Sequence, residues 1–490
     1  MKLAISYPPI RSEKGVPLLS QNRQFQYFKS PTYIYPVVPA YAATMLANAG
    51  HDVVWNDGIA EEKVYSQWIA ELAHIAPDII IIETKTPVIK KHWAIINDLK
   101  LSLPSAKVVL VGDHVTALPL ESMEQSKVDF ILTGGDYDFL TLNLVDFLSG
   151  KKDKLEPGIW FRENDIIKNT GAFTLAHNLD DLPFINRELT KWQLYNNRNG
   201  NFKVVPGAYT MAGRDCWWRK DGGCTFCSWP TLYPTFRAMK PEKLADEIGL
   251  LIERYGVRTV FDDTGCFPAG QWLRHFANLL INRGYNKKIQ FSCNMRFGAL
   301  SREDYLLMKK AGFRLLLYGV ESGNQTTLDR LNKGTVIKNI IDECRIPQKA
   351  GLEPHITLMV GYPWETYQDA QNTLNVAKKL MQKGWAVTLQ STVVIPYPGS
   401  KLYTEALKND WFRIDPKDYE RFDMKEPVMK TPDMTPEEVM MLCDEIYKVF
   451  LTPQYMLKQL VRIRSVRDFK YSLKGLAKVM GHVKDFGKNK

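Results

Sequence analysis

The 490-residue sequence lacks the features that would place it in a membrane or outside the cell. Its longest apolar runs, such as Ile79 to Ile82, fall far short of the roughly 20 residues that a membrane-spanning helix needs. The opening stretch from Met1 to Ile10 has no charged segment followed by an apolar one, so no secretory signal peptide is expected. Cysteine is scarce and odd in number, seven in all, which is no disulfide framework and fits a reducing cytoplasm. Solenoid repeats and low-complexity runs are missing too. Net positive charge is confined to one end. Between Tyr455 and Lys490 ten Lys or Arg stand against Asp468 and Asp485, so this tail carries +8 of the net +10. The rest is close to neutral, which argues against nucleic acid as a partner.

What is present is a crowd of cysteines. Cys216, Cys224 and Cys227 fall within twelve residues, the last two spaced C-x-x-C, as a metal or iron–sulfur site requires. No fourth cysteine or histidine lies nearby in the chain. A cubane cluster held by three thiolates leaves one iron open to an outside molecule. A zinc site would need a remote fourth ligand, for which Cys266 and Cys293 are candidates. Three buried cysteines can also act simply as small hydrophobes. The cysteines alone leave all three readings open.

With 45% hydrophobic residues the chain can bury a large core, and its length suggests two to four domains. Residues 1–150 alternate short apolar runs with helical stretches, which predicts a doubly wound parallel sheet. Ligands of such sheets bind outside the carboxyl ends of the strands. Those ends carry Pro8-Pro9, Asp57-Gly58, Thr84, Gly112-Asp113-His114 and Gly134-Gly135, which equally make turns. Residues 151–200 read as a polar connector with a small hairpin. From 201 to 410 a second series of β-α units predicts a parallel, partial TIM-type barrel, with the cysteine loop following its first strand. Residues 411–490 read as a helical C-terminal region. In the tail, Leu473, Leu476, Val479, Met480, Val483 and Phe486 recur at helical spacing, with Arg467, Lys470, Lys474 and Lys478 on another side. Such a helix fits either an anionic membrane surface or packing against the barrel.

Several stretches together resemble the radical S-adenosylmethionine (SAM) enzymes, in the branch with an N-terminal cobalamin-binding domain. They are the C-T-F-C end of the cysteine loop, Leu315 to Gly334, the G-x-P-x-E-T turn within Met359 to Thr366, and Ile395 to Tyr403. Each falls, in order, at a predicted strand end, and the resemblance covers residue 1 to about 410. It implies that Cys216, Cys224 and Cys227 hold a [4Fe–4S] cluster whose open iron is chelated by S-adenosylmethionine. One electron would then release a 5′-deoxyadenosyl radical. It also implies contacts to S-adenosylmethionine from Phe226, Asp262 or its neighbour Asp263, Ser292, Arg296, Glu321 and Gly361. Thr84, Gly112, His114, Gly134 and Gly135 are its candidates for cobalamin. An external one-electron reductant of flavodoxin or ferredoxin type is implied as partner.

Two departures from the family pattern stand out. Seven residues separate Cys216 from Cys224 where the family has three, and no D-x-H-x-x-G motif offers a lower cobalt ligand. The reaction expected is methylation of an unactivated carbon of a small-molecule or lipid-like substrate. Radical cyclisation of a tetrapyrrole- or lipid-like substrate is the alternative, and a non-catalytic zinc or iron–sulfur protein is the reading from another class.

Overall fold

A computed structural model describes residues 1–19, 25–29, 31–197, 199, 202–463, 465, 466, 468–473 and 475. Apolar, β-branched runs form β1 (Lys2–Tyr7), β2 (Asp52–Asp57), β3 (Ile79–Thr84), β4 (Lys107–Gly112) and β5 (Phe130–Leu132). They pair in parallel in the order β2-β1-β3-β4-β5. β3 is buried along its whole length, as a strand covered on both faces must be. Between and after these strands run α1 (Val37–Asn48), α2 (Tyr65–Ile75), α3 (Ile89–Ser102) and α4 (Tyr137–Leu148). The connector's hairpin, β6 (Ile159–Glu163) and β7 (Ile166–Asn169), adds antiparallel to β5 and carries this sheet past residue 150. The winding reverses between β1 and β3, the switch point at which such sheets open a crevice.

The second sheet holds β8 (Gly207–Thr210), β9 (Thr259–Asp262), β10 (Gln290–Met295), β11 (Phe313–Glu321), β12 (Glu353–Val360) and β13 (Thr388–Val393). All six pair in parallel in chain order, the partial barrel that the β-α alternation predicts. Its helices are α5 (Pro241–Tyr255), α6 (Gln271–Asn282), α7 (Arg302–Lys310), α8 (Ile337–Lys349) and α9 (Tyr367–Gln382), followed by α10 (Pro436–Lys448) and α11 (Pro453–Arg462). Side chains name the face each strand residue occupies. Phe291 packs on Phe276 of α6 with ring centroids 5.3 Å apart, and the Tyr318 hydroxyl donates to Tyr305 of α7 at 3.1 Å. Cys443 of α10 donates to Ser391 at 3.3 Å. These residues face the helices, so their alternate neighbours face the barrel interior.

Buried charge joins the two sheets. Arg214, next to the cysteine loop, meets Asp138 of α4 at 2.5 Å with both side chains buried, and Arg237 meets Asp136 at 2.6 Å. The tail residues Leu476, Val479, Met480, Val483, Phe486, Arg467, Lys474 and Lys478 lie outside the described residues, and Leu473 and Lys470 within them.

At the switch point Glu83 accepts from the Tyr7 hydroxyl at 2.5 Å and the Tyr137 hydroxyl at 3.2 Å. Burial pushes its carboxyl up to about 7 from the ordinary 4.5. A carboxyl raised in this way favours the fold while protonated. That contribution is complete below pH 4.5 and is lost as pH rises through about 7. Thermal unfolding at pH 5 and pH 8 should therefore show a loss, on the order of 3 kcal/mol from this group, that Glu83→Gln removes. Asp57, pushed by burial to about 6, leaves a smaller loss of the same sign.

Candidate cluster and cofactor site

The cysteine loop leaves β8 through a two-residue antiparallel bridge, Gly213 and Arg214 against Arg237 and Ala238. Cys216, Cys224 and Cys227 are half-buried, whereas Cys266, Cys293, Cys344 and Cys443 are buried. The Cys227 amide donates to the Cys224 carbonyl at 3.2 Å, and the Trp218 amide to the Cys216 sulfur at 3.5 Å. A loop this long closes only if something holds its middle. Here the holder is the segment after β11. The Asn332 side chain donates to the carbonyls of Lys220 at 2.5 Å and Gly223 at 2.9 Å, while the Asn332 main-chain carbonyl accepts from the Trp218 indole at 2.7 Å. Thr225 donates its amide to Leu331 at 3.0 Å. Gly334 gives the indole room, because a Cβ there would stand 2.2 Å from the Trp218 ring.

Charge surrounds the thiols. The Arg296 guanidinium lies 4.3 Å from the Trp218 ring centroid and donates to the Lys333 carbonyl. Lys333 pairs with Glu321 at 2.6 Å, and its ammonium lies 5.7 Å from the Phe226 ring centroid. Burial pushes the Cys224 thiol up, an effect that Lys333 and then Arg296 oppose, while Cys216 adds to it. Burial alone would lower the Lys333 ammonium, yet Glu321 and Cys224 hold it above its ordinary value. Glu321 takes a left-handed backbone, φ 65°, at a bulge in the ladder to β12. Gly319 is required two residues before it, since a Cβ there would lie 2.0 Å from Glu321 Oε1 and 2.6 Å from Lys333 Nζ.

The structure thus brings Cys216, Cys224, Cys227, Phe226, Arg296 and Glu321 to one end of the barrel. It separates the others. Asp262 pairs across the ladder with Cys293, on the helix side, and accepts from Thr210, Ala212 and Thr264 at 2.8, 2.8 and 3.1 Å. Both its oxygens are occupied by the fold, and Asp263 is the half-buried neighbour on the interior parity. Ser292 sits mid-strand in β10 rather than at its end. Gly361 turns the chain after β12 at φ 88° and packs against Val439 of α10. Cys293, facing the helices, is no fourth ligand for the cysteine loop.

The five residues named for cobalamin are taken up by packing. His114 is fully buried, its ring centroid 4.8 Å from that of Tyr419, with Nδ1 3.2 Å from the Thr86 hydroxyl. A Cβ on Gly134 would meet the Phe173 ring at 2.5 Å, and one on Gly135 the Tyr233 ring at 1.7 Å. Gly112 approaches the Thr84 carbonyl so closely that a Cβ would stand 2.3 Å from its oxygen. Each of the five thus has protein packed against it, Thr84 through its hydroxyl 2.7 Å from His92 Nδ1.

The donor chemistry of the thiol site suits a cluster, three half-buried thiols with Lys333 and Arg296 acting on that of Cys224. A single zinc ion needs its ligands within about 2.3 Å of one point, and among the described residues no three His, Cys, Asp or Glu side chains gather so closely. A cubane takes each thiolate on a different iron and so wants them further apart, with cations to offset their charge. Residues 213–377 match the radical SAM superfamily. The chain carries a radical S-adenosylmethionine domain. A Pyrococcus horikoshii protein named an uncharacterised methyltransferase is 26% identical over 91% of this chain and 94% of its own. The anaerobic magnesium-protoporphyrin IX monomethyl ester cyclase of Cereibacter sphaeroides is 24% identical over 83% of this chain and 65% of its own. The radical S-adenosylmethionine methyltransferase TsrM from Kitasatospora setae, solved with cobalamin and a [4Fe–4S] cluster, superposes with a TM-score of 0.69. That match has 13% identity and covers 99% of both chains, so the fold shared with this radical SAM enzyme is whole. The domain implies a [4Fe–4S] cluster and S-adenosylmethionine for this chain.

Sequence reasoning gave Asn332 and Lys333 no role, although both end the Leu315 to Gly334 stretch that carries the resemblance. Asn332→Ala removes the donors to two carbonyls, that of exposed Lys220 and that of buried Gly223, a loss of about 1–3 kcal/mol. Iron should leave this variant several-fold faster than wild type under a chelator challenge, whereas Asn409→Ala, remote from the loop, keeps the wild-type rate.

Proposed function

We propose that the three cysteines hold a [4Fe–4S] cluster and that the enzyme methylates an unactivated carbon of a small molecule. When bound, the cluster supplies the electron that cleaves S-adenosylmethionine to a 5′-deoxyadenosyl radical. The chain's own residues bind, orient and shield. Glu321, steadied by Lys333, offers a carboxylate to the amino group of S-adenosylmethionine, and Arg296 offers a planar fork to its carboxylate. Trp217 and Trp218 cover the thiols from solvent. The observation that carries this reading is the convergence of three thiols, Glu321 and Arg296 at one barrel end.

Methylation is supported by the Pyrococcus relative's name and by the whole-length likeness to a methyltransferase. Cobalamin is proposed with it on the fold alone, and no step is assigned to it, because the residues first named for it close a domain seam. The similarity to cyclases favours radical cyclisation as the second reading. A small acidic one-electron carrier is the proposed reductant, and the cytoplasm the proposed location.

Electron paramagnetic resonance of the reduced, iron-loaded protein should show a [4Fe–4S] signal that changes on adding S-adenosylmethionine. Glu321→Gln should keep the cluster and weaken that response about tenfold in S-adenosylmethionine concentration. A signal indifferent to S-adenosylmethionine in wild type would overturn the proposal. Label from methyl-labelled S-adenosylmethionine entering product, with corrin retained after desalting, separates methylation from cyclisation.

Peripheral membrane contact is part of the same proposal. No helix among the described residues is long and apolar enough to cross a membrane. Leu457, Leu460, Val461 and Val466 are nonetheless exposed at 61% or more, beside the basic tail. Sedimentation with vesicles containing phosphatidylserine should recover the protein, and 0.5 M salt or Leu460→Asp with Val461→Asp should release it.

A further inference from the structure

The inner face of the second sheet has no task in the cluster chemistry. Ladder register places Asn294, Leu317, His355 and Thr388 in one row and Gly319, Thr357 and Gln390 in the next. Ser292 shares this face through Phe261, and Thr392 through Met359. Parallel barrels ordinarily fill their interior with layers of Val, Ile and Leu. Here hydroxyl, amide and imidazole groups predominate. Leu317, Gly319, His355, Thr388 and Gln390 are only half-buried in strands whose other face is covered by helices, so water-sized space lies against them.

Polar atoms aimed into that space lack partners. Ser292 is fully buried and Thr392 is 3% exposed, yet neither hydroxyl, nor His355 Nε2, has a hydrogen-bond partner among the described residues. Each such group has lost water without gaining a partner, a deficit that a ligand's hydrogen bond can restore. The space is bounded by charge at its two ends. Glu353, at the foot, meets Arg314 at 2.6 Å and Lys203 at 3.4 Å, while Arg296, Lys333 and Glu321 stand at the cluster end. Between them the strand residues of the inner face carry no cation, and the formal charge there is Asp263, level with Asn294. His355, its Nδ1 2.8 Å from the Thr388 hydroxyl, is kept neutral by burial, which pushes it down to about 4.

We propose that this face binds the substrate through Ser292, His355, Thr388 and Thr392, and that the bound part presents uncharged hydroxyl, amide or heteroaromatic N–H groups. The proposal rests on the radical SAM reading, which puts the reacting centre at the head of this space. A lipid tail or a porphyrin face would leave the same hydroxyls unpaired, and a carboxylate or phosphate would meet no cation there.

Equilibrium dialysis of the cluster-loaded protein with S-adenosylmethionine tests it. N-acetyltryptophanamide and nicotinamide serve as neutral polar probes, palmitate and protoporphyrin IX as apolar ones, and phenyl phosphate as the anion. At least one neutral probe should be retained. Ser292→Val and His355→Phe should each weaken its binding tenfold or more, while Ser391→Ala on the helix face should not. The paramagnetic response to S-adenosylmethionine is recorded on the same samples. Its absence in wild type would sink the underlying reading rather than this inference. With the response intact, failure to retain either neutral probe, indifference to both variants, or displacement by palmitate, porphyrin or phenyl phosphate overturns the inference. If His355→Phe loses the response, Thr388→Val, which removes one hydroxyl, carries the same comparison.

Discussion

A parallel ladder allows a residue only one of two faces, and the arrangement of this enzyme follows from how its second sheet fills them. Phe291, Cys293, Tyr318 and Ser391 meet the helices, so Ser292, Asn294, His355 and Gln390 must look inward. A slip of one residue in β10 or β11 would send Phe291, Phe313 or Tyr318 into the interior, and in β10 it would leave Ser292 and Asn294 under the helices. The aromatic contacts of Phe267, Phe276, Phe291 and Phe313 make such a slip costly. The outer face supplies stability, and that lets the inner face stay polar and partly empty.

The same division explains why the reacting end is built from loops. Strand ends carry Arg296 and Glu321, but the thiols arrive on a long loop that no strand can position. Asn332 and Gly334 tie that loop to the segment following Glu321, so cluster ligands and carboxylate share one support. Loop lengthening costs little entropy in itself. The structural problem it creates is exposed backbone carbonyls, and a single asparagine side chain satisfies two of them.

Much of this was legible in the sequence because it is periodic. Every barrel strand was visible as an apolar run ending in turn residues, and Cys216, Cys224, Cys227 and Glu321 stood in motifs whose spacing reports chemistry. What stayed hidden depended on parity and on distant partners. Asp262 looked like a strand-end ligand until the ladder to Cys293 placed it on the helix face. Gly134 and Gly135 looked like a cofactor cradle, but the rings that fill them, Phe173 and Tyr233, come from remote parts of the chain. His114 is hidden for the same reason, since Tyr419 covers it from the C-terminal region. No local pattern announces a partner some 300 residues away.

The seam itself constrains how the first sheet can serve the second. Arg214 is adjacent in sequence to the cysteine loop, and its buried pairing with Asp138 fixes that loop's root to α4. Breaking a buried pair costs far more than its presence contributes, because the abandoned charge stays buried. The two sheets therefore hold a set orientation while this pair is intact. Glu83, held by Tyr7 and Tyr137, occupies the switch point nearby without joining the seam. Seam glycines are closed by rings from both sides, so a large ligand of the first sheet has to approach from the side of β1 and β3. That side is where the topology opens a crevice, and it is where the chain places buried, titratable groups.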